Sequence, residues 1–465
     1  MRKFIYLYIS VVFILGCIVT ANAAGDNYLL LKNGNLITIS GDTIEGGDIL
    51  IVGSKIRRVG KSITAPKSAK TVDLKGRWVM PGIIDSHTHI AIEGGVNETG
   101  ELITAEVHIK DVINPEDYAI FHALAGGVTT IHTMHGSANP IGGRNIVLKL
   151  RWGKSAEEMI FKAAPETLKW ALGENPKQSN FSSRGPARYP KSRMGVEASI
   201  RKIFEQAKDY TEAWDDYNKK KKEGLNPLPP KKDYRLEVIA DLFRGKYWVR
   251  CHAYQAEEML SIMKLCREYN VKLAAFEHGL EGYRIADELK EYGVAVTGFA
   301  DFWGYKWEAF KTMPHNLALM AERGVLVAIN SDSGERIRRL FLDAAKLLRF
   351  GGLSEIEALK TITLNPAIIL GIEDRVGTIE AGKDADLAVF NRHPLDPYTV
   401  CEMTLVDGEI LFDRDRYFEE RKKEEATRKK KEEEKKKAAK ERAAEEKKKP
   451  KENDKKEQKS PQGEV

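Results

Sequence analysis

Residues 79–90 read VMPGIIDSHTHI. Val79, Met80, Ile83 and Ile84 make an apolar run that reads as a strand buried on both faces, and its end is crowded with Asp85, His87 and His89. Side chains on a strand alternate between faces, so His87 and His89 point the same way. Two imidazoles on one face can hold one metal ion. Taken alone, they can equally be two solvated side chains at a strand end. Asp85, two residues before His87, reads as a support or a structural group, not a ligand.

The chain between about 80 and 370 repeats this texture. Apolar runs (GGVTTIHTM, NIVLKL, TLKWAL, KYWVRCH, VKLAAFEH, GVAVTGF, GVLVAINSD) alternate with amphipathic stretches such as QAEEMLSIMKLCREYN and YRIADELKEYG. Continuous apolar runs mean strands covered on both faces, as in a parallel sheet. With WVMPGIID the count reaches about eight, the number a closed (β/α)8 barrel needs. A doubly wound open sheet is the alternative, but no GxGxxG follows the first strand to support a nucleotide-binding version. In a barrel the C-terminal strand ends open on one face. His87, His89, His252, His278 and Asp332 would therefore converge from four strands, and packing alone does not ask for such a set. His132 and His135 follow the second strand and are placed near the same mouth, where either could touch substrate.

The flanks differ. NYLLLKNGNLITI carries an Asn-Gly hairpin signal, and GDILIVGSKIRRVG alternates as a half-exposed sheet does. Residues 371–415 have the same texture, so two β-rich pieces, 27–79 and 371–415, bracket the middle. An insertion at about 171–246 follows TLKWAL and should start over the active face. Its Arg184, Arg188 and Arg193 could meet an anionic substrate or form a solvated basic loop.

The net charge of +6 invites a nucleic-acid reading, but its location argues against one. Residues 419–465 hold 19 Lys/Arg against 14 Asp/Glu, and Arg2 and Lys3 sit in the leader, so the body is close to neutral. The tail from Glu419 to about Pro450 is spaced for a lone helix, has no apolar stripe for a coiled coil, and ends in a disordered Pro-containing stretch. It reads as a spacer or surface tether. Residues 1–23 fit a cleaved export signal, placing the protein in the periplasm or outside the cell. Ile14-Leu15-Gly16-Cys17 offers the alternative of a lipid anchor at Cys17, a membrane tether through the N-terminus, and an uncleaved single anchor is a third reading. Cys251, Cys266 and Cys401 show no CxxC pair and no disulfide-framework spacing.

VMPGIIDSHTHI resembles the first-strand signature of the metal-dependent amidohydrolase superfamily. AGGVTTIHTM is similar to its second-strand segment, and EALKTITLNPAIILGIEDRVGTIEAGKDADLAVF to its C-terminal signature. The resemblance covers about 30–415 and is greatest to the imidazolonepropionase-like and prolidase-like branch. It implies a (β/α)8 barrel with a small β-sandwich built from both chain ends. It also implies metal ligation by His87, His89, His252, His278 and Asp332, with a carbamylated lysine needed for a second ion. Lys169 is the preferred lysine by strand order, and Lys149 competes. Imidazole and carboxylate ligands suit zinc, although manganese, iron or nickel could occupy the same set.

The implied activity is hydrolysis of a C–N bond in an amide, cyclic amide or dipeptide. Asp332 would serve as proton shuttle, and His278 would help to polarise the scissile carbonyl. His135 and Arg188 are the candidate substrate contacts. Two rivals stand beside this reading: a deaminase on the same scaffold, and a non-catalytic exported binding or scaffold protein. The expected partner is a small-molecule substrate, and the sequence leaves a homo-oligomer open.

Overall fold

The computed structural model describes residues 27–177 and 188–448. The leader readings at 1–23, the Cys17 alternative, Arg184 and the tail beyond 448 lie outside the described residues. No helix among the described residues is long and apolar enough to cross a membrane.

Sixteen strands form two sheets among the described residues. In chain order they are β1 (Tyr28–Leu36), β2 (Ile44–Val52), β3 (Lys55–Gly60), β4 (Lys70–Asp73), β5 (Trp78–Pro81), β6 (Ile83–Thr88), β7 (Val128–Thr133) and β8 (Ile141–Lys149). They continue with β9 (Thr167–Ala171), β10 (Trp248–Ala253), β11 (Leu273–His278), β12 (Ala295–Gly298), β13 (Val327–Ile329), β14 (Leu387–Phe390), β15 (Cys401–Val406) and β16 (Glu409–Asp413). Both chain ends enter one sheet, ordered β16-β15-β14-β5-β1-β2-β3 with β4 beside β1. The antiparallel pair β14–β5, with Ala388 opposite Met80, is where the two ends join. The second sheet runs β6 to β13 in sequential order and nearly closes, with Asp332 N donating to His87 O at 3.1 Å.

Two expectations about these strands need correction. The run at 79–84 is not one barrel strand. It divides at Gly82 into β5, which belongs to the flanking sheet, and β6, which opens the barrel. A side chain at Gly82 would collide with Thr129, so the crossing point needs glycine. The eight barrel strands are also not all parallel. β8 runs antiparallel to both β7 and β9, with His132 opposite Val147 and Asn145 opposite Thr167. The cause is connection length: only residues 134–140 separate β7 from β8, whereas a parallel crossover takes a dozen or more.

That reversal decides between the two lysines. Lys149 pairs with Thr130 near the start of β7 and so lies at the end of the barrel away from the histidines. There its ammonium is buried among Asp384, Asp386 and Asp407. Asp384 and Asp386 belong to the GKDADLAVF segment, so this ion cluster ties the barrel to the flanking sheet. Lys149 is therefore not available as a bridging ligand.

The insertion contains the helix Arg193–Lys222, capped by Ser192, whose hydroxyl accepts from Gly195 N at 3.1 Å. Its first turns bury Val196, Ile200, Ile203, Phe204 and Ala207, a 3.6-residue stripe that packs Phe204 against Phe243 and Tyr269. The charged C-terminal helix spans Arg414–Lys448. Its first turns carry Tyr417 and Phe418, and Tyr417 packs on Phe121. Ion pairs such as Arg428–Glu432 and Lys429–Glu425 follow at helical spacing. Among the described residues, Cys251, Cys266 and Cys401 form no disulfide, and all three are buried.

Candidate metal centre

His87 lies in β6 and His89 just beyond it, with ring centroids 5.1 Å apart. Asp332 follows β13. His89 Nε2 is 3.1 Å from Asp332 Oδ1, and His87 Nε2 is 3.9 Å from the same oxygen. These three residues each offer a ligand atom, and the three atoms lie within 4.8 Å of one another. His278, at the end of β11, reaches the group from another side. Its Nε2 is 4.0 Å from Asp332 Oδ2, and its ring centroid is 4.9 Å from that of His87. His252 in β10 lies against His278 at 4.8 Å. Lys169 in β9 places its Nζ 3.2 Å from His87 Nε2. The six candidate ligands thus form one contiguous group drawn from five strand ends.

His87, His89 and His252 are each aimed by a bond at the other nitrogen. His89 Nδ1 donates to Met134 O at 2.7 Å, which leaves Nε2 as the lone-pair side. His87 Nδ1 donates to the Glu277 carboxylate at 3.0 Å. His252 Nδ1 is bonded to Ser137 Oγ at 2.9 Å. Among the described residues, buried His252 Nε2 and His278 Nδ1 have no hydrogen-bond partner. Buried imidazole nitrogens rarely stay unpaired, so two in one cluster fit a set built to hold a cation.

The electrostatics agree with that fit. Burial, with the nearby Lys169 charge, lowers His87 to about 4. Burial likewise holds His252 and His278 well below the ordinary histidine value. All three are therefore neutral at pH 7, the form that binds metal. Burial pulls Lys169 down to about 8 against Glu277 and Asp332. Burial alone would raise the Asp332 carboxyl. Its contacts with His89, His87 and His278 outweigh that and hold the group well below the ordinary carboxylate value.

Two of the candidate ligands have left-handed backbone, His278 at φ +73° and Asp332 at φ +46°. Non-glycine residues rarely adopt this conformation, and it concentrates at functional positions. Asp85 explains how the Asp332 turn is held. Its carboxylate accepts from Ser331 N at 3.1 Å, from the Ser331 hydroxyl and from His87 N at 3.2 Å. Burial pushes the Asp85 carboxyl up to about 7. Asp85 thus joins the first and last barrel strands.

Glu277 is the residue that sequence reasoning missed. It is buried in β11 next to His278 and binds His87, Arg250 and Thr297 at once. The acidic residue inside the FEH strand end was the available signal. His132 was expected near the mouth but lies within β7, bonded to Ser86 O at 3.2 Å and Thr167 Oγ1 at 2.8 Å. His135 donates from Nδ1 to Val96 O at 3.0 Å, and its buried Nε2 has no partner among the described residues. Arg188 spans two loops, reaching Glu101 O at 3.0 Å and both Ala138 O and Asn139 Oδ1 at 2.8 Å. Arg193 pairs with Glu258 and Glu308.

Comparison with known proteins gives this geometry a family. Residues 308–412 match the model of the Amidohydrolase family. An amidohydrolase structure from Thermotoga maritima MSB8 is similar at 36% identity with a TM-score of 0.75, covering 83% of this chain and 100% of that one. An amidohydrolase of Hapsidospora irregularis is 29% identical over 79% of this chain, which spans only 40% of that longer protein. An imidazolonepropionase of Thermoplasma acidophilum is 23% identical over 80% of this chain and 90% of its own length. The chain belongs to the amidohydrolase superfamily of hydrolytic enzymes.

Proposed function

We propose that the chain is a metal-dependent hydrolase that cleaves a C–N bond in an amide, cyclic amide or dipeptide. The observation that carries this reading is the convergence of His87, His89, His252, His278 and Asp332, with two buried imidazole nitrogens unpaired among the described residues. The ligands are these five and, for a second ion, Lys169. A divalent ion held there, zinc being the best match to the donors, would lower the pKa of a water to about 7 and polarise the scissile carbonyl.

The side chains do the rest. Asp332 is kept ionised by the imidazoles around it, so it accepts the proton of the attacking water and returns it to the leaving nitrogen. His278 stands beside it and faces the developing oxyanion. Glu277 holds the His87 ring so that Nε2 stays on the ligand side. His135 and Arg188 are the candidate substrate contacts, Arg188 from the insertion edge.

Elemental analysis with a screen of amides, cyclic amides and dipeptides tests this on the full chain. Bound divalent metal with hydrolysis of at least one class is expected. A metal-loaded sample inert to the whole panel removes the reading, and release of ammonia from a ring amidine substrate would favour the deaminase. His87→Ala and His89→Ala should each lose most of the bound metal, and full occupancy in either variant refutes its place in the set.

Lys169 makes a separate prediction. Its amine, lowered to about 8 by burial, has a neutral fraction near pH 8 that can add carbon dioxide. Labelled bicarbonate should then give a carbamate carbon signal in the wild type and none in Lys169→Met, which should hold one ion fewer. An unchanged signal in that variant moves the carbamate elsewhere.

A further inference from the structure

Beyond β12 the segment 299–310 carries six aromatic side chains: Phe299, Phe302, Trp303, Tyr305, Trp307 and Phe310. The inner ones form an arc with the metal centre at both ends. Phe299 stacks on the His278 ring with centroids 5.0 Å apart and planes at 22°. Phe302 meets Phe299 edge-on at 5.0 Å, and Tyr305 stacks on Phe302 at 4.3 Å. The Tyr305 hydroxyl is bonded to that of Tyr254, whose ring stacks on His252 at 4.6 Å. The arc therefore runs from one candidate ligand, His278, to another, His252. Phe299 and Tyr254 are buried, whereas Phe302 is 37% and Tyr305 41% exposed.

The loop is held in place. Lys306 Nζ donates to Asn175 Oδ1 at 2.9 Å, and Glu308 accepts from Glu174 N at 2.8 Å and pairs with Arg193. Open aromatic surface on a braced loop beside a catalytic centre is preorganised for a ligand. The nearby cations already have counter-charges: Arg336 lies over Phe302 and pairs with Asp301, while Lys306 lies over Tyr254 near Glu174 and Glu308. The exposed parts of Phe302 and Tyr305 thus offer apolar surface and no surplus positive charge.

We infer that Phe302 and Tyr305, backed by Phe299 and Tyr254, form a specificity subsite for an aromatic or bulky apolar side chain next to the scissile bond. The substrate class is then an acyl amide or dipeptide carrying a benzyl-type group. This inference rests on the hydrolase reading above, and two measurements separate them.

The first is kcat/KM of the metal-loaded full chain on phenylalanylalanine against alanylalanine and on N-acetylphenylalanine against N-acetylalanine. In at least one pair the benzyl member should be preferred by about tenfold. Phe302→Ala and Tyr305→Ala should bring that ratio close to one and change the methyl member less than about threefold, while Phe302→Leu keeps part of the preference. The second is calorimetric binding of benzylphosphonate against methylphosphonate, which needs no turnover. Tighter benzylphosphonate binding that depends on Phe302 supports the subsite even if no substrate is cleaved, and then only the hydrolase reading falls. Turnover without side-chain preference, equal losses on both members of each pair, or no binding difference overturns the subsite.

Discussion

Asp332→Asn should retain bound metal and lose about three powers of ten in kcat on whichever C–N substrate the wild type hydrolyses. That loss is within the range ascribed to a positioned proton-transfer group and corresponds to about 4 kcal/mol of barrier. The substitution isolates charge from shape. Asp332 has φ +46°, a conformation that aspartate and asparagine both tolerate and most other residues resist. Asparagine therefore keeps the turn and an oxygen in place of Oδ1, whereas alanine would add backbone strain and blur the result.

The remaining ligands should hold the ion. His87, His252 and His278 are buried, and all but His278 have a second nitrogen fixed by a bond that does not involve Asp332. Metal content near the wild-type value beside a collapsed kcat is the expected pair of results. Unchanged kcat removes the proton-shuttle role. Loss of metal in parallel with kcat assigns Asp332 to ligation and leaves the proton carrier to be found elsewhere.

The parts of the centre that were legible in the sequence are local ones. His87 and His89 stand two apart at the end of an apolar run, and His252, His278 and Asp332 each end another. Strand period and the common polarity of barrel strands suffice to bring such residues together. Lys169 was ranked above Lys149 by strand order, an argument that assumed every strand pointed one way. The ranking agrees with the placement of both side chains, but the assumption does not hold: β8 is reversed. The short 134–140 link held that information, and the apolar pattern of NIVLKL does not, because a buried strand reads alike in either direction. Glu277, Ser137 and Ser331 were not legible for a different reason. Each acts by touching a residue far away in the chain, Glu277 on His87, Ser137 on His252 and Ser331 on Asp85. No local period reports such pairings. The division at Gly82 was hidden too, since both halves of VMPGII are apolar and only the partner sheets differ.

Lys149→Met should be the most destabilising single substitution at the joint between barrel and flanking sheet, costing about 3–5 kcal/mol. The side chains are similar in volume, so the loss is one of charge. Burial pulls the Lys149 ammonium down, but Asp386, Asp407 and Asp384 outweigh it and hold it above the ordinary lysine value. A raised lysine pKa contributes stability that is fully present at neutral pH and lost only as pH rises through the folded value. The three carboxylates do not suffer equally when the lysine is removed. Asp384 keeps Lys55 at 2.6 Å and Arg375 at 2.9 Å, and Asp407 keeps Arg151 at 2.7 Å. Asp386 keeps only the Asp407 backbone N–H at 2.8 Å among the bonds described. It is already pushed up to about 6 by burial in the presence of Lys149. A carboxyl with a raised folded pKa gains relative stability as pH falls through that value, because the protonated form is the one the folded state prefers. Without Lys149 the Asp386 carboxyl rises further, so the stability deficit of Lys149→Met should shrink as pH falls toward about 6, and Asp386→Asn added to it should recover part of the loss at pH 7 and above. Denaturant unfolding across that pH range reads both effects. Metal content gives the opposite control: Lys149→Met should leave it unchanged, whereas Lys169→Met should lower it. A metal loss in the Lys149 variant with intact stability would reverse the roles assigned to the two lysines, because a lysine bound to three aspartates has no free electron pair to offer an ion.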